Sequence, residues 1–272
     1  MRKFIPAQKI QKDQILDFLY QNEPFLNTFL ISDIENFGLF ADNDVFTYVN
    51  EGPLKDVILY FFGNLVIYLK DEHFDEQSFI EIVKNHNVLN ILLVGIKYQK
   101  LLNLLQKFGF NYSLYQETFM KINKQKFKQI YSQANLKSKK IKLEDIPLII
   151  KASKQIAEFE GLGEKLNDPK YLQSAFNSGS YFGYVIRNSH QILAHAASSA
   201  VTKQAVMIGR VFTNIDERQK GYAFDCLLNL CNNILNSNKT PILFWNNIHA
   251  GKLYEKIGFE VIGDFVVLVK NP

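Results

Sequence analysis

The chain reads as a mixed α/β (α+β) protein built in two halves of similar size, and three observations carry that reading. Strand patterns alternate with helix patterns along its length. A basic stretch interrupts the alternation near mid-chain, with eight lysines at 121, 124, 126, 128, 137, 139, 140 and 142 and no acidic residue until Glu144. A helix that stops at a Gly-Phe pair and leads into a closing strand occurs once in each half, at Gln106–Phe110 and at Glu255–Phe259.

In the first half, Ile15–Phe37 has helical periodicity broken at Pro24, which lacks a backbone donor. Val45–Asn50, Val57–Phe62 and Leu65–Leu69 are rich in β-branched and aromatic residues, with a turn at Gly63-Asn64 between the last two. A helix near Asp75–His86, a buried strand at Val88–Val94, a helix at Tyr98–Phe108 and a strand through Tyr112–Ile122 follow. The second half gives helices near Glu144–Ala157 and Pro169–Phe176, then strands at Tyr181–Arg187, Ile192–Val201 and Ala205–Thr213. A helix from Gly221, a strand at Pro241–Trp245, a helix at Ala250–Ile257 and a strand near Phe265–Val269 complete it.

Composition excludes several classes. With 272 residues, 47% hydrophobic and 21% charged, the chain can bury a large core. A net charge of +4 is too small to point to nucleic acid or an anionic membrane as the main partner. No run approaches the ~20 apolar residues of a membrane span, and the N-terminus has no apolar segment of signal-peptide length. Cys226 and Cys231 are too few for a disulfide framework and point apart on a helix, so a reduced, cytoplasmic protein is expected. The basic stretch reads as a solvated linker with a short helix; RNA contact through Lys121–Lys142 is the weaker alternative.

The stretch 211–223 carries the chemistry: Val-Phe-Thr-Asn-Ile-Asp-Glu-Arg-Gln-Lys-Gly-Tyr-Ala. A strand ends near Thr213, and a polar loop then delivers Arg218, Lys220 and Gly221 to an amphipathic helix. That helix places Phe224, Leu227, Leu228, Cys231, Ile234 and Leu235 at spacings of three and four. Its first amides have no helical partner and sit at the positive end of the dipole. Glycine admits close approach, and two cations add charge, which suits a phosphate or pyrophosphate. The same residues also suit a plain turn with both cations solvated.

The segment Arg218-Gln219-Lys220-Gly221-Tyr222-Ala223 resembles the Arg/Gln-x-x-Gly-x-Gly/Ala loop of the GNAT acetyltransferase superfamily. Downstream, Asn247-Ile248-His249-Ala250 and Leu253-Tyr254-Glu255-Lys256-Ile257-Gly258-Phe259 resemble its second signature, Asn-x-x-Ala followed by Leu-Tyr-x-x-x-Gly-Phe. The resemblance covers roughly 141–270. More loosely, the first half is similar to the degenerate first half of tandem-GNAT bacterial acetyltransferases. It implies two GNAT-like domains, each a mostly antiparallel twisted sheet flanked by helices: a degenerate domain at 1–123, a basic linker at 124–140 and an acetyltransferase domain at 141–272.

The resemblance also implies acetyl-CoA as cofactor, CoA as product, and direct attack on the thioester by an amine of a small molecule or peptide. On it, the backbone of Val211, Phe212 and Thr213 runs beside the pantetheine arm. The amides of Gln219, Lys220, Gly221, Tyr222 and Ala223, with Arg218 nearby, hold the pyrophosphate. Asn247 bonds the arm, with Asn246 as its substitute. Tyr254 protonates the departing thiolate, although a phenol on a helix face also suits core packing. Gly209, inside a strand, marks a bulge or a close backbone approach. No metal site is expected.

Three departures stand out. The strand Ala205–Thr213 has no carboxylate, so a base must come from elsewhere or act through water; Glu158, Glu160 and Glu164, which could line an acceptor site, and His195 are candidates, each of which also reads as structural or solvated. Ile248 stands where the family often has proline. The first half has an acidic segment, Lys70–Glu76, in place of a cofactor loop. The missing strand carboxylate also supports the runner-up reading, a catalytically silent CoA-binding or interaction protein. Neither the acceptor nor the oligomeric state is legible in the sequence.

Overall fold

The structure, a computed structural model, describes residues 1–8, 11–41, 44–94, 98–159 and 167–271. The chain divides into two compact units: Met1–Thr118 together with Gly263–Pro272, and Phe119–Ile262.

The first unit runs β1 (Phe4–Pro6), α1 (Lys12–Gln21), α2 (Thr28–Phe37), β2 (Phe40–Ala41), β3 (Val45–Asn50), β4 (Val57–Phe61), β5 (Asn64–Tyr68), α3 (Glu76–Asn85), β6 (Asn90–Val94) and α4 (Tyr98–Lys107). Its sheet order is β1-β3-β4-β5-β6, antiparallel except for β5 against β6. The period of two decides which helices cover which face. Val57 and Leu59 share one apolar cluster with Leu19, Leu30 and Ile34 of α1 and α2, while Ile58 and Tyr60 share another with Phe79, Ile80 and Leu105 of α3 and α4. The α1–α2 break falls at Pro24, beside Glu23 at φ 52. The β4–β5 hairpin turns at Phe62-Gly63, one residue earlier than expected. Its two central residues have φ 45 and 84, as a type I′ turn requires.

The second unit begins inside β7 (Tyr112–Ile122) and continues with α5 (Lys124–Tyr131), β8 (Lys139–Lys140), α6 (Ile146–Ser153), α7 (Pro169–Asn177), β9 (Gly183–Arg187), β10 (Ile192–Val201), β11 (Ala205–Thr213), α8 (Tyr222–Asn236), β12 (Thr240–Trp245), α9 (Ile248–Ile257) and the start of β13 (Phe259–Lys270). Strands β8 to β12 lie side by side, antiparallel until the parallel β11–β12 pair. One face carries α5, α8 and α9 over Ala194, Ala196, Val206, Ile208 and Leu243. The other carries α6 and α7 over Val185, Ile192, Ala197 and Phe212.

Three differences from expectation have physical causes. The basic stretch 124–140 is not merely a solvated connection: its lysines at 124, 126 and 128 are exposed, but Phe127 of α5 is buried in the second unit's core. Residues 263–272 group with the first unit because Val266–Val269 pair antiparallel with β6 and bury Val266 and Leu268 there. The helix expected at Glu144–Ala157 contracts to α6, flanked by 3-10 turns at Leu143–Asp145 and Ala157–Phe159, with Pro147 in its first turn.

Both expected helix stops occur. Gly109 and Gly258 are left-handed at φ 82 and 103. At the first, Phe110 N donates to Leu105 O and Gly109 N to Gln106 O, a Schellman closure. Among the described residues no helix is long and apolar enough to cross a membrane.

Candidate functional site

Strands β11 and β12 start together and then part. Their parallel register covers Ala205↔Thr240, Val206↔Pro241 and Met207↔Ile242 and stops there among the described residues. Against β10, strand β11 remains paired but with two irregularities, opposite His195/Ala197 and Ser198/Ala200. At the first, Arg210 is left-handed at φ 48, and an inserted residue of this kind bends its strand. Gly209 lies beside the bend, where a Cβ would approach Ser199 Cβ to 2.9 Å. Beyond the divergence, the Trp245 ring of β12 lies against Gly251 of α9 and its Nε1 donates to Met120 Sδ at 3.0 Å. From Ile208 onward, β11 therefore presents backbone groups toward a gap.

The loop after β11 passes through a 3-10 turn at Ile215–Glu217 to two left-handed residues, Gln219 (φ 65) and Gly221 (φ 79). A Cβ on Gly221 would meet nothing within 4 Å, so the glycine serves backbone conformation and leaves the space before the helix open. No side chain caps α8, and its first internal bond runs from Asp225 N to Gly221 O at 3.0 Å. The amides of Gly221, Tyr222, Ala223 and Phe224 thus have no partner inside the helix. The first unit offers a contrast. There α3 is capped by Asp75, whose Oδ2 accepts from Ser78 N at 2.8 Å, so a carboxylate already holds the place an anion would take.

Cations surround the α8 N-terminus. Arg218 Nε donates to Thr213 O at 3.4 Å. Lys220 Nζ pairs with Glu217 at 2.8 Å, and that bond raises its pKa and keeps it charged. Lys256 of α9 sits 5.4 Å from the Phe224 ring centroid, which brings a third cation to the first turn. Asp225 in the same turn is buried and spent on structure, accepting from Lys137 N at 2.7 Å and Ser138 N at 2.9 Å.

The structure brings Val211, Phe212, Thr213, Arg218, Gln219, Lys220, Gly221, Tyr222 and Ala223 to this one strand–loop–helix junction. Val211 packs toward α8 and Phe212 toward α6 and α7. Asn247 is exposed and caps α9, accepting from His249 N at 2.9 Å through Oδ1, which leaves its Nδ2 as a donor. Tyr254 is only 7% exposed, edge-on to Phe259, and burial pushes its phenol well above the usual range. It therefore holds its proton at neutral pH.

His195 is fully buried and its pKa is pulled down to about 4 by desolvation, so it faces no solvent and serves as no solvent-exchanging base. Glu158 lies in the 3-10 turn Ala157–Phe159, and Glu160 and Glu164 fall outside the described residues. Sequence reasoning passed over Arg210. It is the only charged residue in an otherwise apolar strand, and that was the available signal.

A profile of the GNAT acetyltransferase family matches residues 48–268. Among solved structures, a GCN5-related N-acetyltransferase-like protein from Streptococcus suis is 15% identical with a TM-score of 0.61, covering 97% of this chain and 100% of that one. An acetyltransferase of the GNAT family from Colwellia psychrerythraea is also 15% identical at a TM-score of 0.61, covering 99% and 100%. A tandem GNAT protein from the clavulanic acid biosynthesis pathway is 10% identical at 0.59, covering 100% and 99%. Likeness at such identities shows the shared fold. No curated protein matches the chain by sequence.

Proposed function

The chain belongs to the GNAT acetyltransferase family and is an N-acetyltransferase of that type; from that premise we propose that it moves the acetyl group of acetyl-CoA to an amine of a small molecule or peptide by direct attack on the thioester, using residues 141–272. One observation carries this reading: the β11–β12 gap opens beside a helix start that no side chain caps. The fit is chemical as well as spatial. Unpaired amides with Arg218 and Lys220 suit a pyrophosphate, and an unpaired strand edge suits the amides of a pantetheine arm.

When bound, acetyl-CoA would supply an activated acyl group, already linked to a leaving thiolate. The backbone of Val211, Phe212 and Thr213 would hold the arm as an added strand. Gln219 to Ala223 would hold the pyrophosphate, and Nδ2 of Asn247 would donate to the arm. An N–H at the strand end would receive the developing oxyanion, and Tyr254, whose proton is retained, would donate to sulfur. Much of the acceleration would come from holding two reactants in line. Buried free thiols at Cys226 and Cys231 suit a reducing, cytoplasmic compartment.

The test is calorimetric titration of acetyl-CoA into the wild type and into Gly221→Asp. One site per chain, weakened at least about tenfold in the variant by a carboxylate set against the pyrophosphate, is the expected result. A wild type that binds no acetyl-CoA removes the reading. Binding without transfer to any amine leaves a silent CoA-binding protein.

A further inference from the structure

Arg210 holds a backbone conformation that is unfavourable for any residue with a Cβ, and such conformations persist only where the surroundings fix them. Here the surroundings come from three elements. Its guanidinium Nη1 donates to Ser153 Oγ and to Asn167 Oδ1, each at 3.2 Å. Its carbonyl oxygen lies 2.6 Å from His195 Nδ1 on β10. His195 is buried between Tyr181 and Phe212, with ring centroids at 6.2 and 5.2 Å and planes within 21° and 19°.

The hydrogen positions follow from the partners. A carbonyl only accepts, so Nδ1 carries the hydrogen. Nε2 of the neutral ring is then a lone pair, and the Tyr181 hydroxyl 2.8 Å away donates to it. Tyr181 thereby selects the tautomer that bonds Arg210. The strand register shows what the bond does. It jumps from His195↔Phe212 to Ala197↔Gly209, so Arg210 and Val211 together oppose the single residue Ala196. The segment assigned to the pantetheine arm, Val211–Thr213, begins within the bulge, at Val211.

We propose that His195, oriented by Tyr181, is a positioning residue: it anchors the Arg210 carbonyl, fixes the bulge, and so aims the backbone of Val211–Thr213 into the gap between β11 and β12. The last clause rests on the acetyl-CoA reading, whereas the control of strand shape does not. An apolar ring of the same size would fill the space and leave a buried carbonyl without its donor.

The test uses His195→Asn, whose amide nitrogen can take the place of Nδ1, His195→Gln, whose amide reaches the place of Nε2, and His195→Phe, which keeps only the ring. Each is read by acetyl-CoA titration and by amide hydrogen exchange of 208–213 in the ligand-free protein, with α8 as internal reference. His195→Asn is expected to match the wild type in both. His195→Phe and His195→Gln are expected to bind about tenfold more weakly and to exchange faster in β11 only. Tyr181→Phe, the milder change if His195→Phe fails to fold, is expected to fall between.

A folded His195→Phe that exchanges like the wild type, or a His195→Asn as impaired as His195→Phe, overturns the proposal. If the wild type binds no acetyl-CoA while the exchange pattern follows expectation, the acetyl-CoA reading fails and the control of the strand stands.

Discussion

At the scale of single residues, the site separates side chains that carry charge from side chains that hold shape. Tyr254 is the candidate acid by its place in the family motif, and its buried phenol is protonated at neutral pH, as an ordinary phenol is. Tyr254→Phe removes the proton and little else, so kcat should drop by at least about tenfold with the acetyl-CoA Kd nearly unchanged. Full turnover in steady-state assays would take Tyr254 out of the mechanism.

His195 makes a separate pH prediction. An unfolded imidazole takes a proton near 6.5, whereas the buried one takes it only near 4. Between those values the unfolded chain binds more protons, so stability is full above about 6.5 and is lost as pH falls toward 4, by up to about 3 kcal/mol. Urea unfolding from pH 7 to 4.5 should show this slope in the wild type and a shallower one in His195→Asn. Parallel curves would mean that the histidine is not held neutral.

Among elements, the gap depends on what pulls β11 and β12 apart and what keeps β12 in place. The Arg210 bulge bends one strand, and the packing of Trp245 on Gly251 ties the end of the other to α9. A Cβ at 251 would enter the Trp245 ring, so Gly251→Ala should cost about 1–3 kcal/mol in thermal or urea unfolding and shift Asn247 at the start of α9. A variant as stable as the wild type would show that α9 slides without resistance. Two of the helix starts that follow a strand, α3 and α8, differ for a reason visible in the sequence: Asp75 caps one, and Gly221 leaves the other open.

For the whole molecule, the compact units do not coincide with the two halves of the sequence. The first unit needs Phe265, Val266 and Leu268 from the chain's last residues, and the second needs Met120, Ile122 and Phe127 from before the second half. A cut between Lys140 and Ile141 therefore strips at least three buried side chains from each unit. Each is worth about 2 kcal/mol, a large fraction of a domain's net stability. Neither 1–140 nor 141–272 alone should melt cooperatively by circular dichroism at the temperature of the full chain. Fragments that did so would show that the exchanged residues are dispensable.

The alternation of elements, the Gly-Phe helix stops and the glycine-bearing loop before α8 were legible in the sequence because each is a local matter. Period, turn chemistry and a positive φ are set by neighbouring residues. So was the acidic segment of the first half, where Asp75 stands one residue before α3 and caps it. Three features emerged only in the tertiary structure: the parting of β11 from β12, the pinning of Arg210 by His195 fifteen residues away, and the placement of 263–272 in the first unit. Each depends on which strand edge a segment meets after the chain has folded back, and in a short apolar strand that choice is made by distant partners competing for the same backbone groups.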